Sequence, residues 1–455
     1  MNEIRILAPT GALGAGFDLE GFERGVALQP HVIACDAGST DSGPSALGSG
    51  TPKLSDAAVT GDLRHILRAR AALDVPLIIG SCGTSGRDDA VDHVLDLVRS
   101  LSRADGAPLT VGVAYSGQSS DALGRLWDAG QIRALPHAPS ITRDDLTGSS
   151  VVGMMGTEPI EALLEQGCDV VLAGRASDTA LFAAVPRMRG FDPGLIWHAA
   201  KTIECGAACA VPPSANSLLA TVRDDHFDVR TLAAGSRLTE VSVAAHTLYE
   251  NAHPYRVTEP AGVLDTTEAT YEQVDEQTVR VRGSAFEHAQ EYTIKLEGAR
   301  LVGHQTVVAG GIRDRVVIDR LPSLVPLAQQ YFAAKIRDLF DDAVDPDEID
   351  ISYRFYGLGA VVSGTEPTPL HADEVGVLIT VTAPEQRLAH DIATFVAHAS
   401  SHLPIPEYEG LVTTIAYPFS PPEMDRGPVY EFVLNHVAAG VEPGELFRTR
   451  TETIR

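Results

Sequence analysis

Three short stretches combine groups that move protons with groups that hold oxygen, and each follows a brief apolar run. VIAC at 32–35 stops at Asp36 and continues as AGSTDSG, LIIG at 77–80 continues as SCGTSGRDD, and VVL at 170–172 continues as AGRASD. Asp36 reads as a general acid or base, because a carboxyl at the end of a buried strand can be desolvated into a useful titration range. Capping a helix is the other role open to it and to Asp178. Ser39, Thr40 and Asp41 in the first loop, with Ser81, Gly83 and Thr84 in the second, offer hydroxyls and backbone N–H groups for a substrate oxygen or a developing enolate. In the third loop, Gly174, Arg175 and Asp178 are candidate substrate-binding residues, and the planar fork of Arg175 suits a carboxylate. Cys82 sits where a helix N-terminus would lower a thiol pKa, which makes it a candidate nucleophile; the alternative is a small packing residue. Asp88 and Asp89 are further candidate bases.

A second cluster lies in HAAKTIECGAAC at 198–209. Helical spacing puts His198, Lys201, Glu204 and Cys205 on one face. Under solvent, Lys201 and Glu204 would form an ion pair worth less than about 1 kcal/mol. Facing the three loops instead, the pair would be a catalytic proton carrier. His246, Tyr249, Glu250 and His253 also follow helical spacing, but not in the H-E-x-x-H order of a zinc site, and read better as a hydrogen-bonded junction. Five cysteines, an odd number, argue against a disulfide framework, and Cys205 with Cys209 lacks the second pair of a structural zinc site. No metal is expected. The glycines at 11, 14 and 16 run in the wrong order for a dinucleotide fingerprint, and no Walker-type phosphate loop occurs.

Positioning three such loops on one rim asks for a particular scaffold. Apolar strand-like runs alternate with helical patterns through the first half, and from about residue 230 the pattern changes to period-two alternation, as in TVRVRG and EYTIKL. The expected fold is therefore α/β, with a doubly wound, mostly parallel sheet over residues 1–225. A smaller α+β domain with an antiparallel sheet would occupy residues 226–455. Ligands of such sheets sit beyond the carboxyl ends of the strands. The 455 residues carry a formal charge of −26, a field that repels polyphosphate, so nucleic acid is not an expected partner. The apolar runs are far shorter than the ~20 residues of a membrane span. The opening MNEIRILAPTG carries no signal-like segment, so a cytoplasmic protein with no membrane partner is expected.

Taken in order, ILAPTGALGAGF, DAGSTDSGP, GSCGTSG, MMGTEP, AGRASDTALFAA, FDPGLIWHAAKTIECG, SVAAHTLYE, EPAGVLD and YPFSPPEMDRGPVYEF resemble the acyclic terpene utilisation AtuA-like family. The resemblance implies a lyase acting on a hydroxy acid or hydroxyacyl thioester, where branched or terpenoid acids are processed on coenzyme A. Hydration, dehydration and carbon–carbon cleavage next to a carboxylate or thioester all fit it. It also implies a small partner subunit, here a separate polypeptide because the chain ends soon after PVYEFVLNHV. No cofactor is expected, coenzyme A serving as a substrate carrier, and a homo-oligomer is expected. The family brings no catalytic list, so Asp36, Lys201, Glu204 and Cys82 stand as catalytic candidates on their own chemistry. One alternative is a non-catalytic subunit that binds an acyl thioester for partner enzymes and needs no proton carrier. An enzyme of nucleotide or redox type is a third reading.

Overall fold

Five short apolar strands, Ile4–Ala8, Val32–Asp36, Leu77–Gly80, Val170–Ala173 and Leu109–Tyr115, lie side by side in that order and pair in parallel. Their runs show no polar alternation because both faces are covered. Successive residues divide instead between two apolar cores. Ile6, Ala34, Ile78, Val171 and Ala114 enter one core, joined by Phe182, Ile196 and Trp197 from the helices Asp178–Met188 and Pro193–Ile203. Leu7, Ile33, Ile79, Leu172 and Val113 enter the other, joined by Leu63, Ile66, Val91 and Val98 from the helices Asp56–Leu73 and Asp88–Asp105. Each buried Val, Leu, Ile or Phe among them stabilises the fold by about 1.5–3 kcal/mol relative to exposure. Local chemistry starts the helices. The Asp192 carboxylate accepts from the Leu195 amide at 3.1 Å, and Pro193 occupies a first turn that needs no amide donor.

Antiparallel strands flank this centre on both sides. Leu218–Val222, Phe227–Thr231, Thr278–Arg282 and Thr270–Asp275 extend one edge, and Arg448–Ile454 pairs with Leu109–Tyr115 at the other. The ten-stranded sheet is thus mixed, where a mostly parallel one was expected. Only residues 223–226 separate Leu218–Val222 from Phe227–Thr231, enough to close a hairpin, whereas a parallel pair needs a crossover of about a dozen residues. The boundary expected at 225 falls inside that hairpin. The described residues are 3–106, 108–340, 345–361, 372–402, 405 and 414–455. They divide instead into one unit of residues 1–300 with 432–455 and a second of residues 301–431.

The second unit holds an antiparallel arrangement, as its alternating sequence suggests. The later part of the strand Thr293–Ile312 pairs with Val375–Ala383, which pairs with Asp350–Tyr356. Phe332 of the helix Leu321–Phe340 and Ile392 and Val396 of the helix Gln386–Ser400 fill its core. Among the described residues, no helix is long and apolar enough to cross a membrane.

Candidate active site

The carboxyl ends of four parallel strands in the first unit open on a cavity of about 350 Å³. Gly11 and Ala12 reach it from the first strand, Asp36, Gly38, Ser39 and Asp41 from the second, Thr84 from the third and Asp178 from the fourth. Ser42, Lys53, Cys205, Tyr249 and Glu250 complete the part of the wall that bears polar groups. The three loops singled out in the sequence therefore meet at one rim.

Asp36 closes its strand and is buried. Its Oδ2 accepts from the Gly38 amide at 3.0 Å, while Oδ1 has no hydrogen-bond partner. Burial pushes this carboxyl well above the usual carboxylate range. The charge of Asp178 adds to the shift, and Arg175, the Gly38 amide and the Ser81 hydroxyl offset only part of it. Gly38 makes the turn feasible: its φ is +147°, and a Cβ there would lie 2.4 Å from Thr84 Cα. The first and second loops thus touch backbone to backbone.

Asp178 begins its helix with a side chain 22% exposed, enough to reach the cavity. Burial raises its pKa as well, against the nearby Arg175 and Lys201. Arg175 departs from its expected role as a carboxylate clamp. Its Nε donates to Glu297 at 3.0 Å, and its Nη1 donates to Asp178 at 3.1 Å, the Ala176 carbonyl at 2.8 Å and Ser81 at 3.3 Å. A buried guanidinium so engaged is a counter-ion of the fold and is not open to a substrate. Burial would raise Glu297, but Arg175 and Lys295 outweigh it and hold this carboxyl down to about 2. Thr40 donates to Glu297 at 2.8 Å and so faces inward, away from the substrate role expected of it.

Other expected residues also turn to structure. Cys82 is fully buried, and burial, with the Asp36 charge, pushes its thiol far up, so it is no nucleophile. The amides of Ser81, Cys82 and Gly86 donate to the carbonyls of Gly174, Ala173 and Cys82, which leaves none of these three for an oxyanion. A Cβ on Gly83 would sit 2.6 Å from the Ala90 Cβ, and one on Gly174 2.4 Å from the Ser116 Oγ, so both glycines serve close packing. Ser39 accepts from the Asp41 amide at 3.1 Å and donates to the Asp41 carboxylate at 2.7 Å, bracing the first loop. Asp88 accepts from the Gly117 amide at 2.9 Å and Asp89 pairs with Arg87 at 2.8 Å, both at a helix start and away from the cavity wall.

The helix Pro193–Ile203 is buried, so Lys201 is no surface residue. Its ammonium donates to Glu204, and it lies 6.0 Å from the centre of the Tyr249 ring, which itself lines the cavity. Burial raises Glu204 to about 8, and Asp178 and Glu259 add to the effect, against Lys201. Burial opposes the ammonium of Lys201, but Glu204, Cys205 and Asp178 together outweigh it and favour the charged form. His198 leaves this group: its Nδ1 meets Ser284 at 2.6 Å, and burial lowers its pKa to about 3, leaving it a neutral core residue. His246 stacks on Tyr249 with ring centres 5.6 Å apart, and burial lowers it to about 4.

Glu259 and Glu297 escaped the sequence reading. The Glu259 carboxyl lies 2.6 Å from the Ser177 Oγ and also hydrogen-bonds Thr179, both some eighty positions earlier in the chain. No local pattern announces such a contact. Glu297 could have been noticed as a lone acid next to the alternating apolar residues Ile294 and Leu296. Asp36, Asp178, Glu204, Glu259 and Glu297 together outnumber the buried cations Arg175 and Lys201. Burial, with repulsion among these acids added to it, shifts four of these five carboxyls upward. Among the described residues, no group of three or more His, Cys, Asp or Glu is placed to hold a metal ion.

Residues 58–192 match the model of the acyclic terpene utilisation family protein AtuA. Over that stretch the chain is similar to AtuA. The AtuA-like stretch contains Thr84, Arg175 and Asp178, while Asp36, Lys201, Glu204 and Glu259 lie outside it. No curated protein and no solved structure matches the chain.

Proposed function

We propose that this chain is a lyase that works beside the carbonyl of a hydroxyacyl thioester, adding or removing water or cleaving a carbon–carbon bond by proton transfer within this cavity. The observation that carries the reading is Asp36: buried at the cavity wall, with one oxygen unpartnered and its pKa raised. Burial and the Asp178 charge raise Asp36, so of these two carboxyls Asp36 is the one that holds a proton, which makes one an acid and the other a base. Arg175 and Lys201 favour the ionised form of Asp178, so Asp178 is assigned the base and Asp36 the acid. Asp178 would take the proton from the carbon next to the carbonyl, and Asp36 would give one to the departing hydroxyl. The lining also favours a thioester over a free acid. A substrate carboxylate would face Asp41, Asp178 and Glu250 with Lys53 as the cation of the wall, whereas a neutral acyl group meets no such repulsion.

The test is a panel of branched 3-hydroxyacyl and 2-enoyl coenzyme A thioesters, followed by the absorbance of the conjugated thioester. Turnover by the native protein and a loss of at least about 100-fold in Asp36→Asn is the expected result. Full turnover in Asp36→Asn would remove the acid. Binding of thioesters without turnover of any would replace the lyase with a non-catalytic acyl-thioester-binding subunit.

A further inference from the structure

We infer that Glu259 is a positioning residue of this cavity: as a neutral carboxylic acid it closes a ring of hydrogen bonds with Ser177 and Thr179 and thereby fixes Asp178, the residue between them. Glu259 ends the strand Arg256–Glu259 and is 5% exposed. The Ser177 Oγ lies 2.6 Å from the Glu259 Oε2, Thr179 Oγ1 reaches the Glu259 Oε1, and the two hydroxyl oxygens are 2.7 Å apart. Three oxygen–oxygen contacts in a closed ring need three protons, because each hydroxyl has one hydrogen to donate. Ser177 and Thr179 bring two. The third must come from the Glu259 carboxyl. Were Glu259 ionised, both hydroxyls would turn to it, and the Ser177 and Thr179 oxygens would face each other at 2.7 Å with no hydrogen between them.

The ring brackets the start of the helix Asp178–Met188, so its geometry sets where the Asp178 carboxyl points. A carboxyl meant to take a proton must be held within hydrogen-bond reach of it, and a loosened support is felt as lost rate. The charged groups that bear on Glu259 are Lys201, which favours its ionisation, and Asp178 and Glu204, which share a mutual repulsion with it. Burial is the largest influence and brings Glu259 up to about 7, so the ring is complete on the acid side of neutrality and opens on the alkaline side.

The role in catalysis rests on the lyase reading, but the ring proton does not, and the experiment separates them. In the native fold Glu259 keeps a proton that the unfolded chain has already released, so its contribution to stability falls as pH rises from about 4.5 to 7. Glu259→Gln, which can still donate and accept in the ring, does not titrate. The melting temperature of Glu259→Gln relative to the native protein is therefore expected to rise between about pH 5 and pH 8. A constant or falling difference would overturn the ring. In turnover of 3-hydroxyacyl thioesters, Glu259→Gln should stay within about threefold of native kcat and lose the decline above neutrality, while Glu259→Ala should lose more than about tenfold. A Gln variant as slow as the Ala variant would overturn the positioning role. If the native protein turns over no thioester, the lyase reading fails, and the melting comparison still decides the protonation of Glu259.

Discussion

Asp36 was legible as chemistry because its signal is local: an apolar run ending on a carboxylate marks a strand running into a loop. Its neighbours owe their roles to partners remote in sequence. Arg175 stands in a loop that suits a substrate clamp, but Glu297, 122 positions later, takes its guanidinium. Cys82 stands near a helix start, yet complete burial cancels any activation of its thiol. The Arg175–Glu297 pair is open to a direct test. Removing one member of a buried pair leaves the other charge uncompensated, at a cost of about 3–5 kcal/mol. Arg175→Met should lower the unfolding free energy by that amount in a denaturant titration, and Arg175→Met with Glu297→Leu should recover much of it. A single variant within about 1 kcal/mol of native would show that the buried carboxyls find another counter-ion.

Strands and helices of the sheet centre were readable from apolar runs and helical spacing, because five strands covered on both faces leave a distinctive sequence. Their partners at the flanks were not. Phe227–Thr231 and Thr278–Arg282 look like half-buried antiparallel strands, which they are, but alternation says nothing about which sheet a strand joins. The contact between the first and second loops, Gly38 against Thr84, is open to a direct test. A Cβ at residue 38 would press on the Thr84 backbone, which cannot swing aside as a side chain could. Gly38→Ala should destabilise the protein by about 1–3 kcal/mol and raise KM, since the loops that carry Asp36 and Thr84 must part. Native KM and stability in Gly38→Ala would mean that the loops yield freely and do not fix the cavity wall.

The whole molecule carries a formal charge of −26 and, in its first unit, more buried carboxyls than buried cations. That combination gives stability a definite pH dependence. Asp36, Glu204 and Glu259 keep protons in the fold that the unfolded chain releases near pH 4, so their contribution shrinks as pH rises toward about 8. Glu297, held down to about 2, acts oppositely: its contribution is complete above its unfolded pKa and is lost as pH falls toward 2. Melting temperature should therefore peak on the acid side of neutrality, near about pH 5, and decline toward pH 8. A melting temperature that rises from pH 5 to pH 8 would show that these carboxyls are ionised in the fold. The charge was readable from composition alone; the burial of these particular acids was not, because it depends on residues brought together from 36 to 297.

The central claim is that Asp178 and Asp36 move protons to and from a hydroxyacyl thioester, and proton exchange tests it without waiting for a complete reaction. Native protein and the variants Asp178→Asn and Asp36→Asn are incubated in D2O with a 3-hydroxyacyl coenzyme A thioester, and deuterium at the carbon next to the carbonyl is followed by NMR. Native protein is predicted to incorporate deuterium there, and Asp178→Asn to slow this by at least about 100-fold at unchanged melting temperature. Asp36→Asn should still exchange that position while failing to expel the hydroxyl. Exchange at the native rate in Asp178→Asn, or none in the native protein bound to the thioester, would contradict the account.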